Sequence, residues 1–240
     1  MKIRDYTIDN RRIARLRKAR DENDHISSGG LSASNIWWPL QWQILKSMGI
    51  FSEVDDYALG LFERGNEVEE SCILDIPDVI ERQKPVNYKG VVGIVDAIVD
   101  TKSFEKNYGI VPIEIKSVKN AKFTRILKAD DSDLQYRLQA TVYALALKSD
   151  HYGVVIKSAD DGRVLTYFYQ TADTADFVEN VISEYSMAKQ KGVVPEFSIR
   201  HDNFKWAEKE TYNQYPEFMK LSSEEATKLA NKIIKEKNAS

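Results

Sequence analysis

The chain has 240 residues, of which 42% are apolar and 10% aromatic, enough for a sizeable core and too hydrophobic for a disordered protein. Lysine and arginine number 34 against 37 aspartates and glutamates, so a net charge of −3 offers no general basicity, and a polyanionic partner has to be held by a local patch or by metal ions. A single cysteine, Cys72, excludes a disulfide framework and a four-thiolate zinc or iron–sulfur site, and His25, His151 and His201 show no metal-ligand spacing.

No apolar run approaches the ~18 residues of a membrane span, and the opening Met-Lys-Ile-Arg-Asp lacks the apolar stretch of a signal peptide. The expectation is a soluble cytoplasmic protein (host cytoplasm if viral) with no membrane partner. One domain with appended terminal segments is expected.

Residues 11–20 place six basic side chains in ten positions, with Ile13 and Leu16 on one face if the run is helical. A Ser-Ser-Gly-Gly loop follows. Ser32 or Ser34 then caps a helix carrying Ile36, Trp37, Leu40, Ile44 and Leu45, ended by Gly49. Asp55 and Asp56 open a second helix, with Leu59, Phe62 and Val68 near one face. From residue 79 the period changes to that of extended chain, with strands over 79–83, 91–99 and 110–118.

Asp133 caps an apolar helix over 134–147, and strands 152–157 and 164–169 join through a turn at Asp160-Asp161-Gly162. Asp173 or Thr174 opens a helix to about Gln190, closed by Gly192 and Pro195. The stretch 196–220 is polar and aromatic without periodicity. A last helix starts at the capping box Ser222-x-x-Glu225, with a stripe of Ala226, Leu229, Ala230, Ile233 and Ile234. This order predicts a mixed α/β domain whose central sheet is covered by helices.

Two segments put charge where a strand should be apolar. Asp96 interrupts Gly93-Ile-Val-Asp-Ala-Ile-Val, and Glu114 and Lys116 sit inside Ile110-Val-Pro-Ile-Glu-Ile-Lys-Ser-Val. The two-residue strand period turns Glu114 and Lys116 to one face and Ile113 and Ile115 to the other. Charges buried there need a partner, and a divalent cation between two carboxylates satisfies both at once. A salt bridge at a sheet edge is the plain structural alternative. The other acidic-x-Lys triplet, Asp100-Thr-Lys102, falls where a strand runs into a polar turn.

Gly93-x-x-Asp96 followed by Glu114-x-Lys116 resembles the signature of the PD-(D/E)XK nuclease superfamily. Gln139-x-x-x-Tyr143 on the apolar helix resembles the Gln-x-x-x-Tyr motif of its RecB-like exonuclease branch. Upstream, Gly65-Asn-Glu-Val-Glu69-Glu is similar to that branch's Gly-x-x-x-His-Glu segment, with Glu69 in the histidine position. Residues 31–39, ending in Trp38-Pro39, are similar to its N-terminal segment, which often reads Cys-Pro. The match covers roughly 31–195. It divides the chain into an N-terminal basic segment (1–30), a nuclease core (31–195) and a C-terminal aromatic segment with a helix packed on the core (196–240).

The resemblance implies a restriction-endonuclease-like α/β core and a metal-dependent DNA nuclease, an exonuclease of DNA recombination, repair or phage DNA processing. Mg²⁺ or Mn²⁺ is expected on Asp96, Glu114 and the carbonyl of Ile115, with Glu69 completing a second site. Lys116 is expected to orient or deprotonate the attacking water, and Gln139 and Tyr143 to steady the site or the strand. Some relatives, among them nucleases of CRISPR adaptation, hold an iron–sulfur cluster on one N-terminal and three C-terminal cysteines. Here Trp38 takes the first position and no cysteine follows Cys72, so no iron–sulfur cluster is expected and aromatic packing of 196–220 replaces it.

DNA is the expected partner, with other recombination or replication proteins beside it. Phosphates have a candidate tracking surface in the basic run 11–20, and bases have candidate stacking partners in Trp37, Trp38 and Trp42. The dipeptide Gly-Lys never occurs, which excludes a P-loop motor. Two other readings stay open: a non-catalytic DNA-binding or assembly module of the same fold, and a metal-dependent enzyme acting on RNA or nucleotides.

Overall fold

The structure, a computed structural model, describes residues 11–18, 30–51, 65, 67–209 and 213–239. Its centre is a five-stranded mixed sheet in sequential order: β1 (Val79–Tyr88), β2 (Val91–Asp100), β3 (Ile110–Val118), β4 (His151–Ser158) and β5 (Val164–Gln170). Only β3 and β4 run parallel; the other neighbours are antiparallel. The parallel pair needs a crossover, supplied by α2 (Asn120–Ala129) and α3 (Leu134–Leu147). Helices α1 (Leu40–Ser47), α4 (Ala172–Lys191) and α5 (Ser223–Ala239) complete the cover. This is the helix-flanked mixed sheet expected from the sequence.

Several boundaries differ from expectation. Helix α1 begins at Leu40 after Pro39, because the Ser32/Asn35 capping pair closes a 3₁₀ turn (Ala33–Asn35) first. Strand β1 continues through Pro85 to Tyr88; it is an edge strand, where a missing N–H faces solvent and polar residues are tolerated. Helix α2, unanticipated, buries only Phe123 and Ile126, and Lys119 at its N-cap offers no side-chain cap. Helix α4 starts from Thr171 and stops at Gly192, whose φ of 64° is the left-handed conformation that ends helices. Of the helix expected from Asp55, the start and Leu59 and Phe62 lie outside the described residues, while 67–73 is helical.

Among its described residues the tail 196–220 has the 3₁₀ turns Asp202–Glu208 and Pro216–Phe218 and packs through its rings. Phe204, Tyr215 and Phe218 are buried, and Phe197 and Tyr215 flank Trp42. The expected capping box holds at α5: Ser222 N–H donates to Glu225 Oε2 at 3.0 Å and Glu225 N–H returns to Ser222 Oγ at 3.4 Å. Among the described residues no helix is long and apolar enough to cross a membrane.

One core lies between the sheet and α1, α3, α4 and α5, with Val91, Val95, Leu138, Val142 and Tyr143 at its centre. Another gathers Ala97, Val99, Ile113, Ile115 and Val155 with Cys72 and Ile73 of the 67–73 helix. On β2 the alternation therefore shifts at Asp96: Val95 belongs to the first cluster, Ala97 to the other, and Ile98 to the first again.

Candidate active site

At the shift at Asp96 one pair drops out of the β1–β2 ladder, whose register continues, and the β2–β3 ladder ends one residue away. Strand β1 pairs with β2 through Arg82↔Ala97 and Lys84↔Val95, skipping Gln83 and Asp96. Strand β3 pairs with β2 from Asp100↔Ile110 to Ala97↔Ile113 and no further. Beyond that point β3 follows β4, and the vacated edge of β2 is taken by the N-terminal segment, Val92 N–H donating to the Leu31 carbonyl at 3.1 Å. The sheet forks at the acidic residues.

Asp96, 8% exposed, closes the fork with its side chain: Oδ2 accepts the backbone N–H of Ile115 at 2.7 Å. Glu114, fully buried, points toward α3, with Lys116 two residues on forming an ion pair to its Oε1. Among the described residues Glu114 Oε2 accepts no hydrogen bond. Ile113 and Ile115 face the opposite cluster, as the strand period requires. On α3, Gln139 Nε2 donates to the Tyr143 hydroxyl at 2.8 Å, and the phenol faces Glu114. One helical turn separates Gln139 and Tyr143, which places both on the face that covers the fork.

Gly93 lets that helix sit where it does. A Cβ there would lie 2.7 Å from the Tyr143 ring and 3.0 Å from the Ala33 methyl, so glycine is required for close approach of α3.

Glu69, on the helical segment 67–73, is held by a hydrogen bond from the Gln83 side chain. Gln83 has φ of 49°, a left-handed conformation unusual for a glutamine inside a strand. Sequence reasoning missed Gln83, whose signal is a backbone angle that no residue pattern announces. A cleft lined by Glu69, Gln83, Arg82 and Glu70 opens over this pair.

Burial dominates the electrostatics. It pushes the Asp96 carboxyl up to about 8, aided by the Glu114 charge and opposed by Lys116 and the Ile115 N–H. It raises Glu69 to about 7, with Asp96 adding to the effect. Burial raises Glu114 as well, against the pull of Lys116. For Lys116 burial favours the neutral amine, but the Glu114 and Asp96 charges override it, and its pKa lies above the ordinary lysine value. Ionised together, the three carboxylates would outnumber the one ammonium, and burial favours their protonated forms.

Among the described residues no three His, Cys, Asp or Glu side chains cluster closely enough to cage an ion by themselves. The donors at the fork are two carboxylates, with Glu114 Oε2 lacking a hydrogen-bond partner among the described residues. That hard, all-oxygen set fits Mg²⁺ or Mn²⁺ completed by water and substrate oxygens. Glu69 stands apart on Gln83, coupled to Asp96 through charge.

Of the three tryptophans suggested as stacking partners, Trp42 is fully buried among Trp38, Phe197 and Tyr215 and has no face for a base. Trp37 and Trp38 are half-buried. Residues 11–18 of the basic run are helical, with Ile13 and Leu16 half-buried and the cations exposed; residues 19–20 lie outside the described residues.

No family profile and no curated protein matches the chain at the sequence level. Its fold is similar to that of an alkaline exonuclease (LHK-Exo) from Laribacter hongkongensis, with a TM-score of 0.52 at 13% identity over 71% of this chain and 93% of that one. The same exonuclease in complex with dAMP aligns with a TM-score of 0.52 at 14% identity, covering 68% and 89%. At such identities the likeness shows the fold alone: the five-stranded mixed sheet flanked by helices is an architecture the chain shares with that exonuclease.

Proposed function

We propose that the chain is a metal-dependent nuclease that hydrolyses phosphodiester bonds in DNA and works from strand ends, as a RecB-like exonuclease. The observation that carries this reading is the buried Asp96–Glu114–Lys116 set at a fork where the β1–β2 ladder drops a pair and the β2–β3 ladder ends. A structural salt bridge needs one carboxylate for one ammonium; here a second carboxylate is buried beside the pair and Glu114 Oε2 is orphaned. The exonuclease assignment draws on the structural neighbour, which is an alkaline exonuclease and has been captured with dAMP.

In this reading Asp96, Glu114 and the Ile115 carbonyl hold Mg²⁺ or Mn²⁺, and Glu69 contributes to a second ion. The metal, when bound, supplies an activated water and neutralises charge on the phosphate. Lys116 orients or deprotonates the water and opposes the negative charge that develops in the transition state. Asp96 is fixed by the Ile115 N–H, so its second oxygen is aimed without loss of rotamer freedom at the reaction. Gln139 and Tyr143 form a hydrogen-bonded wall against Glu114 that limits its movement. The division into a basic segment (1–30), a nuclease core (31–195) and a packed tail (196–240) belongs to the same reading.

The test is direct. The protein is incubated with Mg²⁺ or Mn²⁺ and end-labelled single- and double-stranded DNA and RNA, with a chelator control and a closed circular strand beside its linear form. Metal-dependent loss of linear DNA with the circle spared is expected. Cleavage of circles at the linear rate removes the end requirement; no cleavage of any substrate removes the nuclease reading.

A further inference from the structure

A cleft of about 670 Å³ lies beside the fork, between the α2–α3 connection and the 3₁₀ turn Asp202–Glu208, a size in the range of ~300–1,000 Å³ that takes small ligands. Its walls include Lys122, Arg125, Ser132, Gln135, Asn203 and Trp206. Tyr136 connects it to the active site. Lys116 Nζ lies 5.9 Å from the centre of the Tyr136 ring, and Lys122 Nζ lies 4.6 Å from the centre of the same ring and donates to its hydroxyl at 2.6 Å. The two ammonium groups are therefore separated by no more than the sum of those ring distances, which a few nucleotides cover at about 3.4 Å of rise each.

The cleft combines cations with a fixed aromatic face. Trp206 is 37% exposed, and its ring is backed by Trp37 at 5.6 Å, which in turn packs on Phe204 at 5.2 Å. Asp133 takes one bond from Lys122 and one from Arg125, each 2.7 Å, and Asp131 pairs with Arg137 at 3.1 Å. Of the cleft's own lining, Lys122 and Arg125 thus face Asp133, while Asp131 is turned to Arg137 outside the cleft. Arg125 spends a single amino group on Asp133 while its side chain stays 63% exposed, so other donors of the fork are turned to solvent.

Resting on the nuclease reading, we propose that this cleft is the subsite for the nucleotides next to the bond being cut: Lys122 and Arg125 hold their phosphates, and Trp206 stacks on a base of a single strand. Stacking on an aromatic face accepts any base, so the subsite orders the strand without selecting sequence. An unpaired base is needed to reach Trp206, which makes a single-stranded or frayed end the substrate that fits.

The experiment measures anisotropy of a fluorescein-labelled single-stranded oligothymidylate in Ca²⁺ over a range of salt, for the full chain and three variants. Trp206→Ala is expected to weaken binding about tenfold at fixed salt with the salt slope kept. Arg125→Gln, at an exposed position that tolerates the change, is expected to reduce the slope by about 0.7, the value for one phosphate contact on a single strand. Lys232→Gln, an exposed charge on α5, serves as the control and leaves both unchanged. If the wild type binds and both Trp206→Ala and Arg125→Gln bind as it does, the subsite is overturned and the nuclease reading stands. If the wild type neither binds nor cuts any nucleic acid, the reading beneath it fails.

Discussion

The two halves of the sheet handle their polar groups in opposite ways. From β3 to β5 the ladder is unbroken: Ile113↔Gly153 through Val118↔Ser158, and His151↔Gln170 through Lys157↔Val164, without a skipped pair. From β1 to β3 it drops one pair at Asp96 on one side and ends one residue away on the other, and a left-handed Gln83 faces the gap. The regular half spends its backbone groups on stability. The forked half withholds them, and buried carboxylates occupy the space. The proposed site thus falls where the sheet gives up regularity, an arrangement that other contacts have to hold in place.

The sharpest way to break this comparison is to remove the charges at the fork. Lys116→Ala is expected to lower cleavage by roughly 10²–10³-fold, the scale of losing one charge-stabilising donor. Asp96→Ala and Glu114→Ala should lose cleavage and calorimetric Mn²⁺ binding together. Lys116→Ala should bind Mn²⁺ at least as tightly as the wild type, because the ammonium on Glu114 no longer competes. Near wild-type cleavage by Lys116→Ala would show that the site lies elsewhere.

The next effect is on stability. Asp96 and Glu69 have folded pKa values of about 8 and about 7, above their ordinary 3.8 and 4.5. The folded state therefore binds more protons than the unfolded one between those limits, and stability falls as pH rises from about 4 to about 8. Thermal melts of the metal-free protein across that window should show a falling midpoint. Asp96→Asn should flatten the curve, and Mn²⁺ should restore stability at the alkaline end by binding the charged form. A midpoint that rises with pH would contradict the burial of these carboxylates.

This half of the sheet was also the more legible in sequence where chemistry was concerned. Asp96, Glu114 and Lys116 stand out because charge inside an apolar strand demands a partner, and period two assigns them a face. Strands β2 to β5 follow from their β-branched runs. Helix α2 was invisible because two buried residues, Phe123 and Ile126, make too short a stripe, and its cap is a lysine. The far end of β1 was invisible because an exposed edge strand carries no apolar alternation. Gln83 and Tyr136 join the site through a backbone angle and a through-space ring contact, neither of which has a local pattern.

A glycine in each half offers a smaller, matched perturbation. A Cβ at Gly93 meets the Tyr143 ring, and one at Gly153 would overlap the Ile113 side chain and press on Phe168. Gly93→Ala and Gly153→Ala should each destabilise by ~1–3 kcal/mol, as overpacked positions do. Only Gly93→Ala moves Tyr143 away from Glu114, so it alone should lower the cleavage rate beyond what the loss of folded protein explains. Chemical denaturation beside cleavage per folded molecule separates the two. Equal rate losses would mean that the regular half also shapes the site.

The smallest expected effect compares two left-handed residues that are not glycine. Gln83 has φ of 49° beside the fork, and Lys148 has φ of 55° at the end of α3, where a left-handed residue merely terminates the helix. Glycine relieves a conformational cost of ~1–2 kcal/mol at either position while adding ~0.5–1 kcal/mol of chain entropy lost on folding. Lys148→Gly should therefore stabilise slightly, with cleavage unchanged. Gln83→Gly gains the same backbone relief but releases Glu69, whose carboxylate then moves under the push of Asp96. Its expected signature is stability equal to or above wild type with cleavage reduced several-fold and Mn²⁺ binding weakened. Gln83→Asn, which keeps an amide and tolerates the left-handed region, should recover part of the loss. If Gln83→Gly cleaves and binds Mn²⁺ as the wild type does, the left-handed turn in β1 is a feature of the edge strand alone and Glu69 needs no support from it.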